Sequence, residues 1–205
     1  SLEQLASVEV TSVSKITQNL QSAAAAITVL GSDEIRRSGA TSVPELLRFT
    51  PGINVARQSA NEWAVSARGF SSINSEKLLV LSDTRSIYTP LFSGVLWDVQ
   101  DYLLEDIDRI EVIRGPGASL WGSNAVNGVI NITTKKAQDT QGLYAETALG
   151  TENRVTAAAR YGGSAKSGAS YRVYGKYLDY DDTLNHTAVS KDDWRLGHIG
   201  ARSDW

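Results

Sequence analysis

The chain has 205 residues with 20 Lys and Arg against 23 Asp and Glu, a net charge of −3, and so lacks the basic excess of a nucleic-acid surface. It has no cysteine, which excludes a disulfide framework, a zinc knuckle and a thiol nucleophile. No run reaches the roughly 20 apolar residues of a membrane-spanning helix, but membrane β-strands leave a much weaker trace and stay open. The softest stretch, residues 23–30, is short and alanine-rich with no basic segment before it, so we expect a signal peptide to be absent or already removed.

Residues 1–21 are polar, and VEVTSV at 8–13 reads as a short extended piece in a mobile leader; a frayed terminus is the alternative. Residues 27–30 predict a strand. Ser32 then caps a helical turn with Asp33 and Glu34 first, Arg36 and Arg37 last, and Gly39 beyond, which matches the helix dipole. Ser42-Val-Pro-Glu45 is a capping-box pattern opening a helix through Phe49, and Pro51-Gly52 stops it. Residues 53–56 and 64–69 alternate as strands. KLLVLS at 77–82 is nearly continuous in apolar character, as in a strand covered on both faces. Residues 83–98 then form a loop long for a compact domain, carrying Tyr88, Leu91, Phe92, Leu96 and Trp97. Exposed aromatics there would meet a ligand or partner; a loop folded back onto its own core is an equal alternative.

Residues 109–135 organise the chain. Period-2 runs at 109–114 and 129–134 flank a connection shaped by Gly115, Pro116, Gly117 and Gly122, in which 118–121 can make at most a turn of helix. After Lys136 the pattern changes. Residues 142–150, 154–162, 170–180 and 194–205 each have the length of a tilted membrane strand. Val155, Ala157, Ala159 and Tyr161 share one face, with Arg154, Thr156 and Arg160 on the other. Tyr171, Val173 and Tyr177 oppose Arg172, Tyr174 and Lys176 in the same way, the apolar-out alternation of an outer-membrane barrel. His198, Arg202 and Ser203 blur the fourth segment. Four strands do not close a barrel, so we expect the chain to be the N-terminal part of a longer protein.

Catalytic chemistry is missing from the pattern. GPGASLWGSN lacks the Lys-Ser/Thr of a phosphate loop, and His186 and His198 have no second ligand at metal spacing. Glu105, Asp106, Asp108 and Glu111 read as a solvated surface. No catalytic residue, metal site or cofactor is expected.

RRSGATSVPELLRFTPGINVAR, SARGF, LLVLSD, YTPLFSGVLWDVQD and LEDIDRIEVIRGPGASLWGSNAVNGVINITTK together resemble the plug domain of TonB-dependent outer-membrane receptors. The resemblance runs over residues 8–136, and the trailing strands look like the start of that family's barrel. It implies an α+β plug, a small mixed sheet with short helices, followed by antiparallel transmembrane strands of a truncated barrel. The division would be a leader at 1–21, plug at 22–136 and barrel strands at 137–205. Where the family has Asp-Gly-Arg, this chain has Asp83-Thr84-Arg85, so the tight turn lacks its glycine.

What the resemblance implies is a gated importer in the Gram-negative outer membrane, taking up a ferric siderophore or another bulky nutrient. Its partners would be TonB, an iron chelate or similar small molecule, and outer-membrane lipid, with no nucleic acid. Val8, Glu9, Val10, Thr11, Ser12 and Val13 are the candidate TonB box, which acts by adding a strand to its partner; a piece of plug strand is the competing reading. Arg68 and Arg114 match the arginines that pair with barrel glutamates, expected beyond Trp205. Arg57, Asn61, Trp63, Tyr88, Phe92 and Trp97 are the ligand-side candidates of the apical loops. A plug-like periplasmic binding or signalling module that conducts nothing is the alternative.

Overall fold

The computed structural model describes residues 9–10, 18–19, 26–69, 72–73, 76–116, 121–122, 124–166, 168–183 and 190–205. It divides into two compact units, Ser1–Ala56 with Trp63–Thr134, and Arg57–Glu62 with Lys135–Trp205.

The first unit is built on a five-stranded mixed sheet. Its strands are β3 (Ala26–Gly31), β6 (Leu78–Ser82), β7 (Arg85–Ser86), β8 (Ile107–Arg114) and β9 (Gly128–Thr134), in the order β3-β8-β9-β6-β7. β6 and β9 run parallel and the other pairs antiparallel. β8 and β9, the two flanks of the organising stretch, thus lie at the sheet's interior. Every residue of β6 is buried, as its unbroken apolar run requires. Alternation along β8 and β9 sends Ile110, Val112, Ile130 and Ile132 to a core shared with Leu30, Val80 and two helices. Ile113 and Val129 go to the opposite face with Leu79 and Leu81. The helices, α1 (Ser32–Ser38) and α2 (Val43–Leu47), contribute Ile35, Leu46 and Leu47. β4 (Ile53–Arg57) and β5 (Trp63–Ala67) form a separate two-stranded sheet, as do β1 (Glu9–Val10) and β2 (Gln18–Asn19).

Local capping differs from the expected pattern by one residue. Gly31, not Ser32, is the N-cap of α1, and its N–H donates to the Glu34 carboxylate at 3.1 Å. Glu45 reaches past Ser42 to accept from the N–H and hydroxyl of Thr41, at 2.7 and 3.0 Å. The tertiary position of Thr41 wins over the sequence box. α2 ends at Leu47 rather than Phe49, followed by turn hydrogen bonds from Arg48, Phe49 and Thr50.

Two expectations about exposure are corrected. Trp63 and Trp97 are 7% and 5% exposed and belong to the main core, so the aromatic-rich loop is folded back at Trp97. Glu111 and Asp106 are 0% and 4% exposed rather than solvated. Alternation on β8 directs Glu111 to an interior face, where the guanidinium of Arg109 meets it at 2.8 Å. Arg36, by contrast, stays exposed at the helix end while reaching Glu105 at 2.7 Å.

The β6–β7 turn forms without its glycine. Asp83 and Thr84 both take positive φ, 46° and 68°, the pattern of a two-residue type I′ hairpin. Asp83 is held there by accepting from the N–H and hydroxyl of Thr134, each at 2.8 Å, while its own N–H donates to Ile132 O. Among the described residues Thr84 has no such compensation, and a β-branched residue in this region is strained by about 1–2 kcal/mol. Thr84→Gly should therefore raise stability by about 1 kcal/mol, read as an increased urea midpoint at unchanged slope. A lowered midpoint would contradict the strain.

The second unit is a four-stranded antiparallel meander of β10 (Gly142–Leu149), β11 (Asn153–Ser164), β12 (Ser170–Tyr180) and β13 (Trp194–Asp204). Its burial is the reverse of a soluble sheet. Arg160, Arg172 and Lys176 are 9%, 4% and 6% exposed, whereas Leu143, Leu149 and Ile199 are 78%, 79% and 89% exposed. Exposure alternates strictly along β13, with Ile199 and Ala201 outward and His198 and Arg202 inward. The 3₁₀ turn Ala137–Thr140 packs against β11, β12 and β13. Asp204 accepts from Ala137 N at 2.6 Å, and Arg172 donates to Lys135 O at 2.7 Å. No described helix is long and apolar enough to cross a membrane.

Candidate functional site

Arg114 ends β8 and Arg68 follows β5, and the side chain of each runs close to a glycine. Arg114 closes β8, and its stem passes Gly52, where an added Cβ would lie 3.1 Å from Arg114 Cδ. Arg68 follows β5 at φ 54°, and its Nη2 lies 3.8 Å from where a Cβ on Gly115 would sit. Arg68 is exposed and Arg114 half-buried. Among the described residues neither has an ion-pair partner, and Arg114 Nε is buried without a hydrogen bond. A carboxylate would satisfy either guanidinium in bidentate geometry.

The apical candidates divide. Arg57 donates Nε to Ser59 O at 3.1 Å and Nη2 to Ala60 O at 2.8 Å, which folds the β4–β5 tip around its side chain. Its Nη1 meets Glu152 at 3.3 Å, and the guanidinium lies 5.1 Å from the Tyr180 ring centre. Asn61 is half-buried and accepts from the Ser59 hydroxyl at 3.1 Å. Trp63 lies in the core under the Arg48 guanidinium, 5.3 Å from its ring centre. In the second loop, a bridge between Thr89 and Gly94 pinches off a small tip. Leu91 and Phe92 stand there at 81% and 49% exposure, Tyr88 is half-buried, and Trp97 is in the core. Leu91 lay outside the candidate set. Its position midway between the bridging residues was the signal for it.

The segment Arg57–Glu62 clusters with the second unit at the end where its longer connection, residues 181–193, emerges. Ala60 N donates to Asp192 at 2.9 Å. Hydrogen bonds from the Thr183 side chain, then from its backbone, hold the Asp192 carboxyl below the usual carboxylate range against a smaller effect of burial.

Of the candidate N-terminal segment, Glu9 and Val10 pair antiparallel with Asn19 and Gln18. Val8, Thr11, Ser12 and Val13 lie outside the described residues. Among the described residues no group of three or more His, Cys, Asp or Glu could hold a metal ion.

A family model described as the TonB-dependent Receptor Plug Domain matches residues 19–129. Among curated proteins, the chain is 31% identical over 145 residues to the vitamin B12 transporter BtuB of Vibrio vulnificus (strain CMCP6), covering 70% of this chain and 23% of that protein. It is 33% identical over 143 residues to the vitamin B12 transporter BtuB of Vibrio cholerae serotype O1 (strain ATCC 39541), covering 69% and 23%. The chain therefore spans about a quarter of the length of these relatives. Among solved structures it superposes on the Pseudomonas aeruginosa outer-membrane ferripyoverdine receptor with a TM-score of 0.70 at 21% identity, covering 87% of this chain and 23% of the other. On the Yersinia pestis ferric yersiniabactin uptake receptor FyuA the TM-score is 0.64 at 22% identity, covering 87% and 29%.

Proposed function

Since the chain belongs to the family of the TonB-dependent receptor plug domain, matched over residues 19–129, we propose that it is the gating, N-terminal part of an outer-membrane receptor that imports a bulky nutrient. It is a receptor rather than an enzyme. The observation that carries this reading is the inverted burial of β10–β13, with Arg172 4% and Ile199 89% exposed. Apolar side chains turned outward suit lipid, and charged ones turned inward suit a polar lumen. A periplasmic module that conducts nothing has no use for such a face.

In this reading the plug sheet fills the lumen and the pair Arg68 and Arg114 is seated against barrel glutamates. Ion pairs sheltered from bulk water are costly to break singly yet separable under load. TonB engages residues 8–13 by strand addition, using their main-chain donors and acceptors. The ligand is a ferric siderophore or a comparable chelate. Two relatives of 31% and 33% identity are named vitamin B12 transporters, which supports a corrinoid as the second candidate. Exposed Leu91 and Phe92 would meet an apolar face of either.

Growth of receptor-deficient cells on ferric siderophores or on cobalamin, restored by the complete receptor, tests the function. An inserted, folded receptor that restores neither would overturn it. Val10→Pro removes a main-chain donor needed for strand addition. It should cut uptake to below about a tenth while surface ligand binding persists. Unchanged uptake would place the TonB contact elsewhere.

A further inference from the structure

We propose that Asp192 is a positioning residue that clasps the tip of the β4–β5 hairpin to the base of the β12–β13 connection, so that tip and connection move as one body when the plug sheet rearranges. The proposal deepens the gating reading and rests on it for its functional meaning.

The clasp is built from two aspartates. Asp182 Oδ1 accepts from the N–H groups of Asp192 and Asp193, at 2.9 and 3.0 Å. Asp192 answers across the same gap, its Oδ1 accepting from Thr183 N at 2.8 Å and its Oδ2 from the Thr183 hydroxyl. These reciprocal bonds close the two limbs of the connection at its base. The remaining acceptor capacity of Asp192 Oδ2 goes to Ala60 N at 2.9 Å. Ala60 is 1% exposed, so this N–H is sheltered and would be costly to leave unpaired.

Both carboxylate oxygens are used, and all the donors are N–H or O–H groups. An amide offers one acceptor and would turn an NH₂ toward a donor, so asparagine cannot replace this aspartate in kind. Arg57 adds a second attachment through the Tyr180 ring and Glu152, of which the pair to the 80%-exposed Glu152 is the weaker. The result is that Arg57–Glu62 is grouped with Lys135–Trp205 and not with the strands it joins. Asn61 sits within this clasped tip, so a ligand that displaces the 181–193 connection also displaces Asn61. Conversely, a pull on the plug sheet meets a tip that stays behind.

Hydrogen exchange of the complete receptor in micelles, titrated with urea, reads this without a ligand. In the wild type, Ala60 exchange should follow Thr183 and the β12 amides, while Val65 on β5 and Leu81 on β6 accelerate earlier with the first unit. Asp192→Asn and Asp192→Ala should each speed Ala60 exchange at least tenfold and shift it to the Val65 curve. Thr183→Val, which removes only the hydroxyl bond, should leave Ala60 coupled to β12. The proposal is overturned if wild-type Ala60 follows Val65, if both Asp192 variants leave Ala60 within twofold, or if Thr183→Val uncouples it. The wild-type arm needs no variant to fold. A receptor that imported neither nutrient would leave these rates untouched, so the clasp and the transport reading fail separately.

Discussion

Gly162→Ala should destabilise the protein by about 3 kcal/mol or more, among the largest effects expected of a single methyl group here. A Cβ on Gly162 would lie 2.0 Å from Thr140 O, 2.9 Å from Thr140 C and 3.0 Å from Gln141 Cα, all backbone atoms. The turn that carries them cannot retreat cheaply. Ala137 N is fixed to Asp204 at 2.6 Å, the Thr140 hydroxyl donates to Ala137 O at 3.2 Å, and Gln141 Nε2 donates to the same oxygen at 2.6 Å. Gly175→Ala is the control on the neighbouring strand. Its Cβ would meet only Ile199 Cγ2 at 3.8 Å and His198 O at 3.9 Å, ordinary contacts, and the change should stay within about 0.5 kcal/mol. Unfolding midpoints in detergent micelles measure both. Equal midpoints for the two variants would mean that the turn does not rest on β11 as closely as described.

The contrast between these glycines shows what the sequence could and could not carry. Period-2 patterning located all four strands of the meander to within two residues, because each is long and exposes an apolar face to one side only. That Gly162 lies under another backbone while Gly175 lies in open packing depends on where the 3₁₀ turn comes to rest, and nothing local to either glycine records it. The same limit explains Trp63 and Trp97. Both stand in or beside loops, where exposure is the reasonable expectation, and both are drawn into the core by contacts from distant strands. Phe92, inside the tip closed by the Thr89–Gly94 bridge, stays out. Arg68 and Arg114 were singled out from the motifs around each residue. Their packing was not legible there, since Arg114 runs past Gly52 and Arg68 past Gly115, positions far from them in sequence. Glu111 was the clearest misreading. Its alternation with Ile110 and Val112 places it opposite them, and a face opposite a core reads as solvent unless a second layer covers it. That face carries its own cluster of Leu79, Leu81, Ile113 and Val129, and Ala125 and Trp121 from outside the sheet pack against it.

Arg109→Met should cost about 3 kcal/mol, because it leaves the fully buried Glu111 carboxylate without the guanidinium that meets it at 2.8 Å. Arg109 also reaches Asp108 at 2.7 Å, but that carboxylate is 45% exposed and water can replace its partner. The loss therefore falls on Glu111. Replacing both members, Arg109→Met with Glu111→Leu, removes the buried carboxylate together with the guanidinium and should recover most of the stability, since a buried pair and an apolar pair of similar volume are often near equal. A double-mutant cycle from urea unfolding should return a coupling of about 1.5–3 kcal/mol. Burial alone would lower the Arg109 pKa, yet the Glu111 hydrogen bond and charge, followed by those of Asp108, together raise it above the ordinary arginine value. A group whose folded pKa is raised contributes its stability fully below the unfolded pKa and loses it only as pH climbs through the folded one. For an arginine that window lies above pH 12, so the loss in Arg109→Met should be constant between about pH 6 and 9. Additive single variants, with no coupling, would show that Glu111 draws its stabilisation from elsewhere on that face of the sheet.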